Sequence, residues 1–395
     1  MRKGIATFTL DYGKCPPWLF ERMVRLGREM TYVLVDEYGP DEFIKRIADP
    51  VWFQSLGTVL AFDWNASGLT TILTAALKEA IRGQEKDLGI FIAGGKGKTS
   101  RKTPDEILDW GERINSDPNV SRELIYSSKM AAKVDSSLVQ DGYQIYHHAF
   151  FFSKNGAWTV VQQGMNTDNQ TARRYHWSDK IDLNNRTNFV NEPHKGIASQ
   201  KFLSKVLNLT SKDSAKTRDV STELVQSGTK QLLKDLELLR QHQDSLVQSF
   251  KFKVKSSGEE YSFLNLSHNE FKHHTVEIED FNKSKYLDRI LQKVAELNPQ
   301  TYEQFIAVQG VGPKTVRALS LVSEVIYGAK PSYEDPARYS FAHGGKDATP
   351  YPVDKVTYDQ TIEVLKDAVT KTKLNYSEKS KAIGRLTYPI VDTSA

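Results

Sequence analysis

Val308-Gln309-Gly310-Val311-Gly312-Pro313-Lys314-Thr315-Val316 is the stretch that decides the fold of the C-terminal part of the chain. Apolar residues at helical spacing precede it from Leu297 to Val308 and follow it from Lys314 to Tyr327. Glycine adopts backbone angles that a side chain would forbid, and proline suits the first position of a helix. The pattern therefore predicts two helices joined by a tight glycine turn, with Gly328 ending the second helix.

This turn predicts a contact with the backbone of a nucleic acid. Free N–H groups at a helix N-terminus bind phosphate, and glycines let a phosphate approach the main chain closely. Lysine and arginine at the same end add positive charge. An ordinary glycine-rich helical turn is the alternative. The predicted DNA-binding residues of the turn are Gly310, Val311, Gly312, Lys314, Thr315 and Arg317.

The composition is typical of a soluble globular protein, with 39% hydrophobic and 26% charged residues in a chain of 395. This length allows two domains. No apolar run reaches the ~18 residues of a membrane helix, and the N-terminus lacks a secretory signal, so we expect a cytoplasmic protein with no membrane partner. The single cysteine, Cys15, excludes an intrachain disulfide and any metal site built from several cysteines.

The net charge of +4 is too small to indicate a nucleic-acid partner by itself. Basic residues do cluster in the Gly-rich stretch Ala93–Thr103, which is either a phosphate-contacting loop or a solvated one. The four basic residues of this cluster are Lys96, Lys98, Arg101 and Lys102.

The N-terminal half mixes helical and strand patterns. Helical spacing is present in residues 16–37, 41–47 and 67–81. Two runs rich in aromatic and β-branched residues, 146–152 and 158–163, flank a Lys-Asn-Gly turn and predict an antiparallel β-hairpin.

Further along, leucines recur through residues 222–250 and predict one long helix. This helix either packs in the core or binds a protein partner through the face that runs from Leu224 to Leu246.

Together these patterns predict an α+β fold in two parts. Residues 1–198 form a mixed α/β domain that contains the antiparallel hairpin, and the polar stretch 199–221 is the predicted linker. Residues 222–395 form a mainly helical DNA-binding domain, with a helix-hairpin-helix at about 297–328.

Pro352-Val353-Asp354 follows the glycine turn downstream. With Gly310–Thr315, it resembles the Gly-Val-Gly-x-Lys-Thr turn and the Pro/Ala-Val-Asp segment of helix-hairpin-helix base-excision DNA glycosylases, the endonuclease III type among them. The resemblance implies a repair enzyme that incises damaged DNA without a cofactor, with Lys314 as the nucleophile and Asp354 assisting it. The alternative is that Lys314 only contacts phosphate and Asp354 only caps a helix.

Several longer segments show a second resemblance, which runs from end to end. They are Trp18–Met23, Tyr146–His148, Val160–Met165, Ala172–Trp177 and Ser340–Asp347. Through them the whole chain resembles the domain-of-unknown-function family 763, which implies no established activity.

The strand segments also support a different mechanism. Asp141, His147 and Gln163 are candidate ligands for a divalent metal, with Arg173 and Arg174 steering DNA phosphates toward it. Neighbouring side chains on a strand face opposite ways. Only one of His147 and His148, and one of Gln162 and Gln163, can therefore share the site. Three alternatives therefore stay open beside the glycosylase: a metal-dependent structure-specific nuclease, a sheet with buried core histidines, and a non-catalytic DNA-binding adaptor.

Overall fold

The structure, a computed structural model, describes residues 15–60, 66–179, 188–199, 202–244, 251–253, 260–262, 285–338 and 355–387. Within these ranges the strands are β1 (Ile90–Lys96), β2 (Val139–Gln140), β3 (Gln144–Ser153), β4 (Trp158–Asn166), β5 (Thr171–Ser178), β6 (His194–Ser199), β7 (Leu207–Asn208), β8 (Lys251–Lys253) and β9 (Glu260–Ser262). The helices are α1 (Pro17–Ile47), α2 (Pro50–Val59), α3 (Ala66–Ala80), α4 (Glu85–Leu88), α5 (Thr103–Arg113), α6 (Pro118–Ser137), α7 (Ala215–Gln226), α8 (Thr229–Asp244), α9 (Lys285–Leu297), α10 (Tyr302–Ala307), α11 (Pro313–Val325), α12 (Lys355–Lys371) and α13 (Tyr376–Thr387).

A five-stranded antiparallel sheet with the order β1-β3-β4-β5-β6 forms the centre of the molecule. The predicted hairpin is confirmed as β3 and β4, which pair from Gln144↔Met165 to Phe152↔Trp158. Two further pairs, β2 with β7 and β8 with β9, are short. The fold is therefore of the predicted α+β class, with a helical C-terminal part.

Two layers of helices cover the two faces of this sheet. Helices α1, α2 and α3 cover one face, called here the α1–α3 face, where Ala149, Phe151 and Val161 enter the core. Helices α5 and α6 cover the other, called the α5–α6 face, where Phe150, Phe152 and Val160 enter a second core that continues into α7–α11. The sheet is therefore buried on both sides.

Helix α1 is interrupted where the sequence pattern changes. Gly39 has φ +81°, outside the helical region, and Pro40 follows it. The break separates the two predicted helical segments, 16–37 and 41–47, which are both confirmed. None of the helices in the described ranges is long and apolar enough to cross a membrane.

The C-terminal half contributes to both cores. Helices α7 to α11 lie in the core of the α5–α6 face, whereas α12 and α13 pack against α1 and α2 in the other core. In the stretch predicted as a linker, β7 and the start of α7 are ordered elements, and Val206, Leu207 and Leu209 are buried. This stretch is therefore part of the larger core.

The leucine-rich segment forms two helices where one was predicted. Gly228 has φ +90° and lies between α7 and α8, so the prediction of one helix over 222–250 is wrong in its continuity. Leu224, Leu232 and Leu236 are buried in the core. Those leucines therefore pack internally, and Leu246 lies outside the described residues.

Candidate functional site

The glycine turn lies between α10 and α11. Helix α11 and the end of α10 lie close to the predicted positions, but α10 begins at Tyr302, because Leu297 ends the preceding helix, α9. Gly310 has φ +102°, and a Cβ there would lie 2.5 Å from Cδ1 of Ile290 on α9. Gly312 is extended, with φ −145°, and nothing lies within 4 Å of the position of a Cβ. The backbone therefore requires glycine at 310, whereas Gly312 leaves open space in front of the helix.

Helix α11 starts without a side-chain cap. Gly312 is its N-cap residue and makes no side-chain hydrogen bond, and its carbonyl accepts from the N–H of Val316 at 3.1 Å. Lys314 is exposed on the first turn, while Val311 and Thr315 point their side chains into the core. The surface at this helix end thus includes backbone, Pro313 and Lys314.

Two further basic residues are fixed beside the turn. Nε of Arg317 donates to Oε1 of Gln140 at 2.6 Å, and the same amide donates from Nε2 to the carbonyl of Pro313 at 3.0 Å. Lys293 on α9 donates from Nζ to the carbonyl of Gln309 at 2.9 Å. The sequence pattern missed Lys293 because it comes from a different helix. Asp354 lies outside the described residues, so its position relative to Lys314 stays a prediction.

A second group of polar residues forms a row straight across the sheet. Lys96, His147, Gln163 and Arg174 are register partners on β1, β3, β4 and β5. Directly opposite residues in antiparallel strands share a face, so all four lie on the α1–α3 face. The last three are fully or almost fully buried, and Lys96, at the sheet edge, is exposed.

The hydrogen bonds of this face assign the protons of its two histidines. The hydroxyl of Thr74 donates to the carbonyl of Thr70 at 2.9 Å, so its oxygen accepts from Nε2 of His147 at 3.1 Å. The Nδ1 of His176 donates to the carbonyl of Ile47 at 3.2 Å. Burial lowers the pKa of both rings, so each is neutral and its second nitrogen is unprotonated.

Three acceptor atoms on this face have no hydrogen-bond partner among the described residues: His147 Nδ1, His176 Nε2 and Gln163 Oε1. Gln163 uses its Nε2 on the carbonyl of Ser67 at 2.9 Å and on the hydroxyl of Tyr146. Burial, and then the charges of His148 and Lys96, lower the pKa of His147 to about 3. Burial likewise lowers the pKa of Arg174 to about 9.

The α5–α6 face carries a hydrogen-bonded chain centred on Asp135 of α6. This carboxylate, fully buried, accepts from Gln162 Nε2 at 2.5 Å, Trp177 Nε1 at 2.9 Å and His194 Nε2 at 2.5 Å. Because the amide nitrogen of Gln162 faces a carboxylate, its oxygen accepts from Nδ1 of His148 at 2.9 Å. No motif in the sequence pointed to Asp135 as the centre of this network.

The Nε2 of His148 then accepts from the hydroxyl of Ser128 at 2.9 Å. Burial lowers the pKa of His148, opposed by its bond to Gln162. Serine, imidazole, amide and carboxylate therefore form one chain with a single hydrogen-bond direction. Ser128 is only 2% exposed, so this chain lies inside the core.

A second carboxylate network on the same face surrounds Arg173. Its guanidinium donates to Asp141 at 2.9 Å and, through two nitrogens, to Asp335 at 2.9 and 2.7 Å. Tyr175 donates its hydroxyl to Asp141 at 2.7 Å. Burial would lower the pKa of Arg173, but the two carboxylates and Tyr175 raise it. The guanidinium is therefore held charged inside the protein.

Asp335 reaches Arg173 because residues 332–338 run beside β7 and the edge strand β6. Asn208 N–H donates to the carbonyl of Ser332 at 2.9 Å, and Arg338 N–H donates to that of Ile197 at 3.0 Å. Asp335 also accepts from the N–H of Leu203 at 2.7 Å. The segment after α11 is thereby fixed to the sheet.

These positions separate the predicted metal ligands. His147 and Gln163 are neighbours on the α1–α3 face, whereas the side chain of Asp141 lies on the opposite face and is bonded to Arg173. No group of three or more His, Cys, Asp or Glu residues that could hold a metal ion occurs in the described part of the chain. The three predicted ligands are not brought together.

The predicted phosphate-steering arginines are also inside the protein. Arg173 and Arg174 are fully buried, and Arg174 donates to Oε1 of Gln54 at 3.2 Å and lies 4.8 Å from the ring centroid of Phe53. In this structure neither guanidinium reaches a DNA phosphate, because other protein groups surround both. By contrast, the four basic residues of the Gly-rich stretch are exposed. Lys98, Arg101 and Lys102 lie on a 3-10 helix, Gly97–Lys102, and Lys96 comes directly before it.

Fold and sites together define a mixed α and β protein with a sheet between helical layers and a glycine turn at the surface. A family model described as "Protein of unknown function (DUF763)" matches residues 4–353. The chain therefore belongs to this family, as its sequence resemblance indicated. Neither a curated protein nor a solved structure matches the chain significantly.

Proposed function

We propose that the chain is a DNA-binding repair protein that holds the DNA backbone at the glycine turn between α10 and α11. The observation that carries this proposal is the start of α11, where Gly312 provides neither a side chain nor a cap and the space in front is open. Backbone N–H groups at such a helix end bind phosphate oxygens. Lys314 is exposed at the same end and adds positive charge.

The difference between the two glycines gives a sharp test of binding. Gly310→Ala strains the backbone and clashes with Ile290, so it tests stability as much as binding. Gly312→Ala meets nothing within 4 Å, so it leaves the fold intact and fills only the space that a phosphate would occupy. We expect Gly312→Ala to weaken binding of a labelled duplex by about tenfold in fluorescence anisotropy, which corresponds to ~1.4 kcal/mol.

Gly384→Ala is the matched control, because a Cβ there also meets nothing within 4 Å and α13 lies in the other core. It should leave DNA affinity unchanged. Lys314→Gln should also reduce the salt dependence of binding by about one phosphate contact, a slope change of ~0.9. Equal affinity of Gly312→Ala and wild type, with both proteins folded, would refute the proposed site.

The finer proposal is that the protein incises damaged DNA, with Lys314 as the nucleophile and Asp354 as its partner. Its support is the exposed amine at the helix end where the backbone would lie, together with the glycosylase-like motif. Lys314→Arg keeps the charge but removes the nucleophilic amine. It should therefore retain DNA binding and lose both incision and borohydride trapping on abasic DNA.

The same assay separates the other mechanisms. Cleavage of flap or bubble DNA that is abolished by EDTA and by His147→Ala would favour a metal-dependent nuclease instead. Tight binding without incision of any abasic, uracil-containing, oxidised, flap or bubble substrate would leave a DNA-binding adaptor. Incision by wild type but equally by Lys314→Arg would refute the lysine mechanism and leave DNA binding in place.

A further inference from the structure

A cavity of about 550 Å³ is lined by residues between Lys86 and Asn155, well before the glycine turn in sequence. It is formed where α4 and β1 meet the connection between α5 and α6 and the tip of the β3–β4 hairpin. This volume is within the ~300–1,000 Å³ range of pockets that bind small molecules. None of the residues around it takes part in the site proposed for DNA.

The charge around this cavity is unbalanced. Lys86, Arg113 and Lys154 line it, and Asp117 is the one carboxylate among its lining residues. Asp117 already accepts from the N–H of Asn119 at 2.8 Å, where it caps α6. Arg113 keeps an ion pair with Asp109 at 2.9 Å, so the two lysines supply most of the uncompensated charge.

The N-terminal end of α6 adds to this positive potential. The helix has 20 residues, and its first turn lines the cavity through Val120. The positive end of a helix dipole attracts anions. Lys86, Lys154 and the start of α6, which Asp117 caps, surround one space and favour an anionic ligand such as a phosphate monoester.

The remaining lining residues are mostly apolar or amide side chains, and they indicate what the uncharged part of the ligand is. Ile114 and Val120 contribute partly exposed apolar surface, whereas Phe91 is only 1% exposed. The side chain of Asn115 supplies a donor and an acceptor, and that of Asn155 donates to Asp41 at 3.1 Å. Apolar side chains with amides beside them suit a flat heterocycle better than a polyhydroxylated sugar. We infer that this cavity binds a small phosphorylated ligand of the nucleoside monophosphate class.

Isothermal titration calorimetry of the full chain with deoxyadenosine monophosphate, inorganic phosphate and deoxyadenosine tests this inference. The nucleotide should bind at least tenfold more tightly than either part alone, because only it fills both halves of the cavity. Deoxyribose 5-phosphate is the further comparison. If it binds as tightly as the nucleotide, the heterocycle assignment is overturned.

The decisive variant is Lys86→Met with Lys154→Met. Methionine keeps the apolar stem, and that of Lys154 packs over Gly89. Nucleotide affinity should fall at least tenfold. Lys216→Met with Lys234→Met removes the same charge from exposed positions on α7 and α8 and should change affinity less than twofold. Equal losses in both double variants, or no saturable binding by wild type, would overturn the site.

Discussion

The two faces of the five-stranded sheet both bury polar side chains from β3, β4 and β5, but they satisfy them by different means. On the α5–α6 face, Asp135 of α6 accepts from the donors around it, and Arg173 pairs with Asp141, between β2 and β3, and with Asp335, after α11. On the α1–α3 face, His147 and His176 are neutral, and three acceptor atoms have no partner in the described part of the chain.

This difference separates Arg173, whose charge is paired with two carboxylates, from His147 and His176, which depend on staying uncharged. A buried charge is tolerated only when it is paired and hydrogen-bonded, as it is around Arg173. A buried neutral imidazole costs less, but it opposes protonation. The two faces should therefore respond in different ways to substitution and to pH.

The largest effect is expected at Arg173. Arg173→Met leaves Asp141 and Asp335 buried without their shared cation, and loss of one partner of a buried ion pair costs about 3–5 kcal/mol. Urea denaturation of variant and wild type measures this change in the free energy of unfolding. Adding Asp335→Asn to Arg173→Met should restore part of the loss, because it removes one of the stranded charges.

Arg25→Met is the control for that experiment. Arg25 also pairs with a carboxylate, Glu378 at 2.7 Å, but its side chain is 60% exposed. A surface pair of this kind contributes at most ~1 kcal/mol. If Arg173→Met destabilised no more than Arg25→Met, the charged network would have no special role in the fold.

A smaller effect is expected at Asp135 on the same face. Asp135→Asn removes a charge that accepts three hydrogen bonds, and bonds to charged groups contribute about 1.5–3 kcal/mol. His194 can offset part of the loss, because an unprotonated Nε2 would accept from the new amide. We expect a loss of about 2 kcal/mol, and nitrogen NMR of His194 should report the change of tautomer. An unchanged tautomer would contradict this mechanism.

Local sequence patterns were sufficient for some of the elements and insufficient for the networks. The hairpin β3–β4, the helices on either side of the glycine turn and the break in α1 follow from spacing, glycine and proline. Gly228 divides the leucine-rich segment, because its φ of +90° is incompatible with a helix, and a helical period alone gave no sign of that.

The sequences of the strands did not show that their polar side chains are buried. From local sequence, Arg173 and Arg174 resemble phosphate ligands. In the structure, Arg173 donates to Asp335, 162 residues later, and Arg174 donates to Gln54, 120 residues earlier. Local sequence likewise allows Asp141 as a metal ligand, whereas in the structure it pairs with Arg173. The sequence around an arginine does not show whether its guanidinium faces solvent or pairs with a carboxylate from another segment.

The smallest effect at neutral pH, and the clearest distinction between the faces, is expected at His147. Its pKa is about 3 in the folded protein against an ordinary 6.5, so the unfolded chain binds the extra proton between these values. Its contribution to stability is therefore complete above pH 6.5 and is lost as pH falls toward 3. Well below pH 6.5, the free energy of unfolding should decrease by about 1.4 kcal/mol per pH unit from this group alone.

His147→Gln removes the titration while its amide nitrogen can still donate to Thr74. Between pH 6 and pH 4.5 the unfolding free energy of this variant should therefore fall less steeply than that of wild type, by about 1.4 kcal/mol per pH unit. His148 and His176 also have lowered pKa values, mainly through burial, so a residual slope is expected. Equal slopes in variant and wild type would mean that the pKa of His147 is not lowered in the folded protein, and the difference between the two faces would not extend to this residue.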